Sequence, residues 1–132
     1  DADGVHVGQS DMEAGDVRKK IGNDKIIGVS AGNLAEAKEA ERVGADYIGV
    51  GAVFHTDTKK DATSLTMAQL KEISEEVSIP VVAIGGISID NALELKGTGV
   101  DGICVISAIF GSENPSEATK KLLDLSKQII SK

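Results

Sequence analysis

Asp11, Ser30, the run Thr56-Asp57-Thr58-Lys59, Gly86 and the pair Ile106-Ser107 each follow a short apolar stretch. Together they offer what phosphorylated ligands require: a carboxylate for a hard cation, hydroxyl and ammonium donors, and backbone N–H groups that glycine leaves approachable. Asp11 stands just behind Gln9-Ser10. It can join the shell of Mg²⁺, which takes one or two carboxylates with phosphate oxygens and water, or it can complement the dipole of a following helix. Ser30 can donate to a phosphate or a ring, or simply belong to a turn.

Two loops carry the glycine signal, Gly85-Gly86-Ile87 and Ser107-Ala108-Ile109-Phe110-Gly111. The first alone is equally a tight turn, but two such loops after neighbouring strands favour an anion held by backbone amides at helix starts. The longest connection opens with His55-Thr56-Asp57-Thr58-Lys59-Lys60-Asp61. Thr56 and Thr58 alternate, so both hydroxyls can face one ligand, and Lys59 adds positive charge. The composition is that of a solvated loop, while its length and its place behind a strand favour function. His6 lies between valines and reads as a satisfied wall histidine rather than a base. Cys104, in Ile103-Cys104-Val105-Ile106, reads as a buried, inert thiol. Nothing in these runs announces a Cys/His or Ser/His pair.

These residues must be carried by strands. Five apolar runs end in Gly or Ser: Val5–Gly8, Ile26–Ser30, Tyr47–Gly51, Val81–Gly86 and Ile103–Ser107. Each precedes an amphipathic stretch, the alternation of βα units around a parallel sheet. Ser10…Glu13, Asn33…Glu36, Thr66…Gln69 and Asn114…Glu117 have the spacing of capping boxes and predict four helices, the last with Pro115 in its first turn. A fifth helix is expected from about Ile89 to Lys96, capped by Ser88 or Asp90 and stopped at Gly97. An open α/β sandwich and a (β/α)8 barrel both suit this pattern. A complete barrel takes roughly 200 residues or more, so 132 residues with five units imply a single partial barrel domain over 1–132, lacking its N-terminal units. Five open strands would also expose two long edges, so a partner surface is expected, either those units or a second copy in a homo-oligomer.

The formal charge of −7 disfavours nucleic acid and anionic membrane as partners. With one cysteine and no apolar stretch near about 20 residues, the reading is a cytoplasmic, soluble protein without a disulfide framework.

Taken in order, Gly4-Val5-His6-Val7-Gly8-Gln9, Ile27-Gly28-Val29-Ser30-Ala31, Gly44 to Gly51, Thr56 to Lys59, Ile79 to Ile87 and Ile106-Ser107-Ala108-Ile109 resemble thiamine phosphate synthases over nearly all of the chain. The resemblance implies a TIM-barrel transferase of thiamine biosynthesis that joins a pyrimidine methyl diphosphate to a thiazole phosphate and releases pyrophosphate. It implies that Asp11 binds Mg²⁺ and that Ser30 and Lys59 contact the pyrimidine diphosphate. Thr56, Asp57, Thr58, Gly86, Ile106 and Ser107 would hold the thiazole phosphate, the last three largely through backbone amides. Such enzymes usually carry an upstream Gln-x-Arg-x-Lys strand and an Asn-Asp pair, which have no counterpart here, so the chain alone is expected to be inactive. Ala52 and His55 stand where prolines are common, and Gly32 where a His is usual. The related thiazole tautomerases use a His just after the Ser-containing strand, so Gly32 argues against that alternative. A non-catalytic phosphate-binding barrel fragment is the other.

Overall fold

The computed structural model describes residues 1–55 and 64–131. Among them, strands β1 (Gly4–Val7), β2 (Ile26–Ala31), β3 (Tyr47–Val50), β4 (Val81–Ile84) and β5 (Gly102–Cys104) form one parallel sheet in the order β1-β2-β3-β4-β5. The remaining elements are α1 (Ala14–Ile21), α2 (Leu34–Arg42), α3 (Met67–Glu76), a 3-10 turn (Ala92–Leu95), α4 (Ser107–Phe110) and α5 (Pro115–Ile130).

A strand order that never reverses, joined by right-handed crossovers, places the helices on one side of the sheet. Burial agrees. Val7, Val29, Ile48 and Val81 are registered across four strands and are at most 7% exposed. The alternate positions Ile26 and Ile84 are 52% and 36% exposed, and His6 is exposed as well. This excludes the two-sided sandwich. The sheet is also not a closed barrel, since β1 and β5 remain its edges. The helix-side core joins the first row to Ala37, Leu70, Ile73 and Leu95, each 0–1% exposed.

The N-terminal ends of the strands are tied by a repeated device, Gly-x-Asp just before a strand. In Gly44-Ala45-Asp46, the Asp46 N–H donates to the Ile27 carbonyl and its Oδ2 accepts from the Ile27 N–H at 2.7 Å. In Gly99-Val100-Asp101, Asp101 makes the same pair with Val81. Arg18 of α1 reinforces the first bracket, donating to the carbonyls of Gly22, Lys25 and Gly44 and to Asp46 Oδ2 at 2.7 Å. The Ile27 N–H, and secondarily Arg18, hold the Asp46 carboxyl below its ordinary value of 3.8. A depressed folded-state value means that this stabilisation is complete above the unfolded value and is lost as pH falls through the folded one. Asp46→Ala is therefore expected to cost about 1–2 kcal/mol near neutrality, a figure restrained by the exposure of the carboxylate. Denaturant titration at pH 7 and below pH 3 should show the difference from the parent shrinking in acid.

The capping expectations separate cleanly. Thr66 and Gln69 form the full reciprocal box at α3. Asn33 and Asn114 accept from the Glu36 and Glu117 N–H groups, while the Glu36 carboxylate turns instead to the Gly32 N–H at 2.6 Å. Ser10 caps nothing: α1 begins at Ala14 with Glu13 at its cap and no side-chain bond there, because Gly8 to Asp11 are folded into their own turn. The helix expected over Ile89–Lys96 is only the 3-10 turn, led by Asn91, whose Oδ1 accepts from the Ser88 N–H. Glu94, Lys96 and Thr98 donate to carbonyls three residues back, and Gly97 and Gly99 at positive φ stop any continuation. β5 is shorter than its apolar run suggests, with Ile106 already at the cap of α4. Cys104 is only partly buried, being on the sheet face away from the helices; what burial it has raises its thiol pKa. No helix of the described residues is long and apolar enough to cross a membrane.

Candidate functional site

Parallel strands bring their C-terminal ends to one rim, and the described candidates gather there. Asp11 follows β1, Ser30 is the penultimate residue of β2, Gly86 follows β4, and Ile106-Ser107 follow β5. Thr56, Asp57, Thr58 and Lys59 lie outside the described residues, in the connection that leaves β3.

Asp11 is exposed and held by reciprocal bonds: its Oδ2 accepts from the Gly8 N–H at 2.7 Å, and its N–H donates to the Gly8 carbonyl at 3.2 Å. The carboxylate thus serves the β1 rim turn, and the acid in the first turn of α1 is Asp16 instead. Among the described residues no group of three or more His, Cys, Asp or Glu could hold a metal. A single hard oxygen ligand of this kind fits a cation whose remaining ligands are phosphate oxygens and water, as Mg²⁺ prefers.

Ser30 is engaged from both ends. Its carbonyl accepts from Gln9 Nε2 at 2.7 Å, and its hydroxyl lies 2.9 Å from His6 Nε2. The other imidazole nitrogen, Nδ1, lies 2.9 Å from the Tyr47 hydroxyl. A Ser/His pair therefore exists where the sequence reading expected none. The cause is parity: His6 registers with Gly28 and Gly28 with Tyr47, on the face opposite the helices, and Ser30 is the next residue of β2 on that face. Sequence inspection missed Gln9 and Tyr47 as partners of Ser30 and His6. The usable signal was that His, Gly, Ser and Tyr occupy the alternate positions of otherwise aliphatic strands.

Gly85 and Gly86 adopt φ of +102° and +67°, a region that side chains disfavour. A Cβ at Gly85 would lie 2.7 Å from Ala52 Cα, and one at Gly86 would lie 2.6 Å from the His55 carbonyl oxygen and 2.9 Å from Phe54 Cβ. The turn is thus packed against the start of the β3 connection. The Phe54 N–H donates to the Gly85 carbonyl at 3.1 Å, and Asn91 Nδ2 donates to the Gly86 carbonyl at 2.9 Å. In a trans peptide the N–H points opposite to its carbonyl, so fixing the Gly85 carbonyl toward Phe54 directs the Gly86 N–H away from that connection. Beyond β5, Ser107 opens the single-turn helix α4, whose first amides have no intrahelical acceptor.

Asp11 follows the edge strand β1 and Ser107 follows the edge strand β5, with the β2 and β4 rim residues Ser30 and Gly86 between them.

The chain matches the thiamine monophosphate synthase family over residues 1–109. It is 61% identical over 123 residues to a thiamine-phosphate synthase of Methanobrevibacter smithii, a match that covers 93% of this chain and 59% of that protein. Its structure is similar to that of a thiamine phosphate pyrophosphorylase from Pyrococcus furiosus, with a TM-score of 0.89 and 48% identity over 98% of this chain and 62% of the other. A 3-hexulose-6-phosphate synthase, at 21% identity and a TM-score of 0.70 over 94% of this chain and 62% of that one, shares the TIM-barrel-like fold alone. The chain spans about three fifths of the length of the curated relatives it matches.

Proposed function

Because the chain belongs to the thiamine monophosphate synthase family, we propose that it is the C-terminal five βα units of a closed eight-unit barrel that makes thiamine phosphate from a hydroxymethylpyrimidine diphosphate and a thiazole phosphate. The observation that carries this reading is the rim itself: a lone carboxylate and a serine at the ends of β1 and β2, and backbone-donor turns after β4 and β5. The relatives' additional length can hold the further βα units and the remaining diphosphate ligands.

In this reading the C–O bond of the pyrimidine diphosphate breaks, and its electron pair leaves with pyrophosphate. The lone pair of the thiazole nitrogen then forms the new N–C bond at the electron-deficient methylene carbon. Neither step needs a nucleophilic side chain; the first needs the negative charge that develops on the leaving group to be stabilised. When bound, Mg²⁺ would supply part of that charge stabilisation, and Asp11 would be the residue of this chain that holds it. Ser30 and Lys59 contact the pyrimidine diphosphate. Thr56, Asp57 and Thr58, with the amides of Gly86, Ile106 and Ser107, hold the thiazole phosphate. Water-soluble substrates of this kind suit a cytoplasmic enzyme.

The test is an assay of this chain with both substrates and Mg²⁺, with and without a separately supplied N-terminal segment from a related synthase. No thiamine phosphate is expected from the chain alone, and product is expected on adding the segment. Product from the chain alone would refute the missing-units reading. Silence in a mixture shown to assemble and to bind thiazole phosphate would refute the synthase reading.

A further inference from the structure

The Ser30 hydroxyl is positioned through a chain of two further side chains that the family reading leaves without a role. His6, Ser30 and Tyr47 come from three adjacent strands and share the face away from the helices. The imidazole and phenol rings meet over β2, with centroids 5.5 Å apart and planes inclined by 41°. They can do so because the backbone beneath is glycine. A Cβ at Gly28 would run into the Tyr47 ring and hydroxyl and into His6 Nδ1, and one at Gly49 would lie 3.3 Å from His6 Cε1. The seat for the imidazole is thus written into two strand positions where a β-branched residue would otherwise favour the sheet.

A neutral imidazole has one N–H donor and one acceptor nitrogen, so the bonds that His6 makes to Tyr47 and to Ser30 are not independent. If Nδ1 accepts, Nε2 must donate, and the reverse. Tyr47 decides between them. A phenol is a stronger hydrogen-bond acid than an aliphatic alcohol, so its O–H donates to Nδ1. Burial raises the phenol's pKa and keeps that proton in place. Nε2–H then donates to Ser30 Oγ, and the Ser30 proton is turned outward to the rim.

We propose that His6, its tautomer set by Tyr47, is a positioning residue that holds Ser30 as a donor to an oxygen of the diphosphate leaving group. This rests on the synthase reading above. The geometry of the chain His6–Tyr47–Ser30 does not, and the two can be separated by experiment.

In a full-length synthase carrying this segment, long-range ¹H–¹⁵N correlation of the histidines should show His6 as the neutral Nε2–H tautomer, with that bias lost in Tyr47→Phe. Steady-state kinetics of His6→Ala, Ser30→Ala and the double variant supply the second readout. His6→Ala should lower kcat by about 10- to 100-fold with a smaller change in KM, the scale expected when a reacting partner loses its alignment. His6→Gln, which can return an N–H toward Ser30, should recover part of that loss. In the Ser30→Ala background, His6→Ala should cost almost nothing further, because its effect passes through the serine. An Nδ1–H tautomer in the parent, or an equal penalty for His6→Ala in both backgrounds, would overturn the proposal. A parent that binds the substrates yet forms no thiamine phosphate would instead overturn the synthase reading, and the tautomer would still report on the chain itself.

Discussion

Gly86→Ala is expected to lower stability by about 3 kcal/mol and to raise the KM for thiazole phosphate by on the order of tenfold, in a full-length synthase built on this segment. Two effects add. An alanine at φ of +67° costs roughly 1–2 kcal/mol by conformation alone. Its Cβ would also press on backbone, the His55 carbonyl oxygen at 2.6 Å, and only a shift of the turn or of the β3 connection relieves that. Such a shift strains the Phe54–Gly85 bond that aims the Gly86 N–H. Gly97 provides the control, since it has φ of +86° and nothing within 4 Å of a built Cβ. Gly97→Ala should therefore show the conformational cost alone and leave KM unchanged. Equal losses of stability in the two variants, measured by denaturant titration, would refute the packed turn.

Asp11→Asn should lower kcat/KM by about 100-fold while leaving stability within roughly 1 kcal/mol of the parent. The amide oxygen can still accept from the Gly8 N–H, so the rim turn survives, but the negative charge that would hold a hard cation is gone. The Mg²⁺ concentration for half-maximal rate should rise in the same variant. Asp11→Ala should lose activity too, with an added cost in stability from the unsatisfied turn. Unchanged activity and unchanged metal dependence in Asp11→Asn would remove Asp11 from the metal site.

Much of this molecule was legible because its determinants are local. Thr66 and Gln69 are three residues apart and form the box that spacing implies. The strands were visible as apolar runs, and their C-terminal ends located Asp11, Ser30, Gly86, Ile106 and Ser107 on one rim before any coordinates. Local patterns failed where another local bond competed. Ser10 has the cap spacing, yet the Asp11 carboxylate closes a turn onto Gly8 and delays the helix to Ala14. Ile89–Lys96 has helical composition but too few residues between Asn91 and Gly97 for more than a 3-10 turn. What could not be read from neighbours in the chain was the partner across strands. His6 and Tyr47 are 41 residues apart, and only the register that sets both beside Gly28 makes them a pair.

The unreversed strand order has a consequence for how the protein reaches this state. Every strand pairs with the one before or after it in sequence: Val5 with Ile27, Val29 with Ile48, Ile48 with Val81, and Ala83 with Ile103. Among these five strands no sheet contact must wait for distant parts of the chain to find each other, so their contact order is low for a parallel sheet and loop-closure entropy is spent in small instalments. The Asp46 and Asp101 brackets tie β3 to β2 and β5 to β4 at the end away from the rim. Folding can therefore advance one βα unit at a time, and rim loops can change in length or composition without disturbing the order in which the units dock.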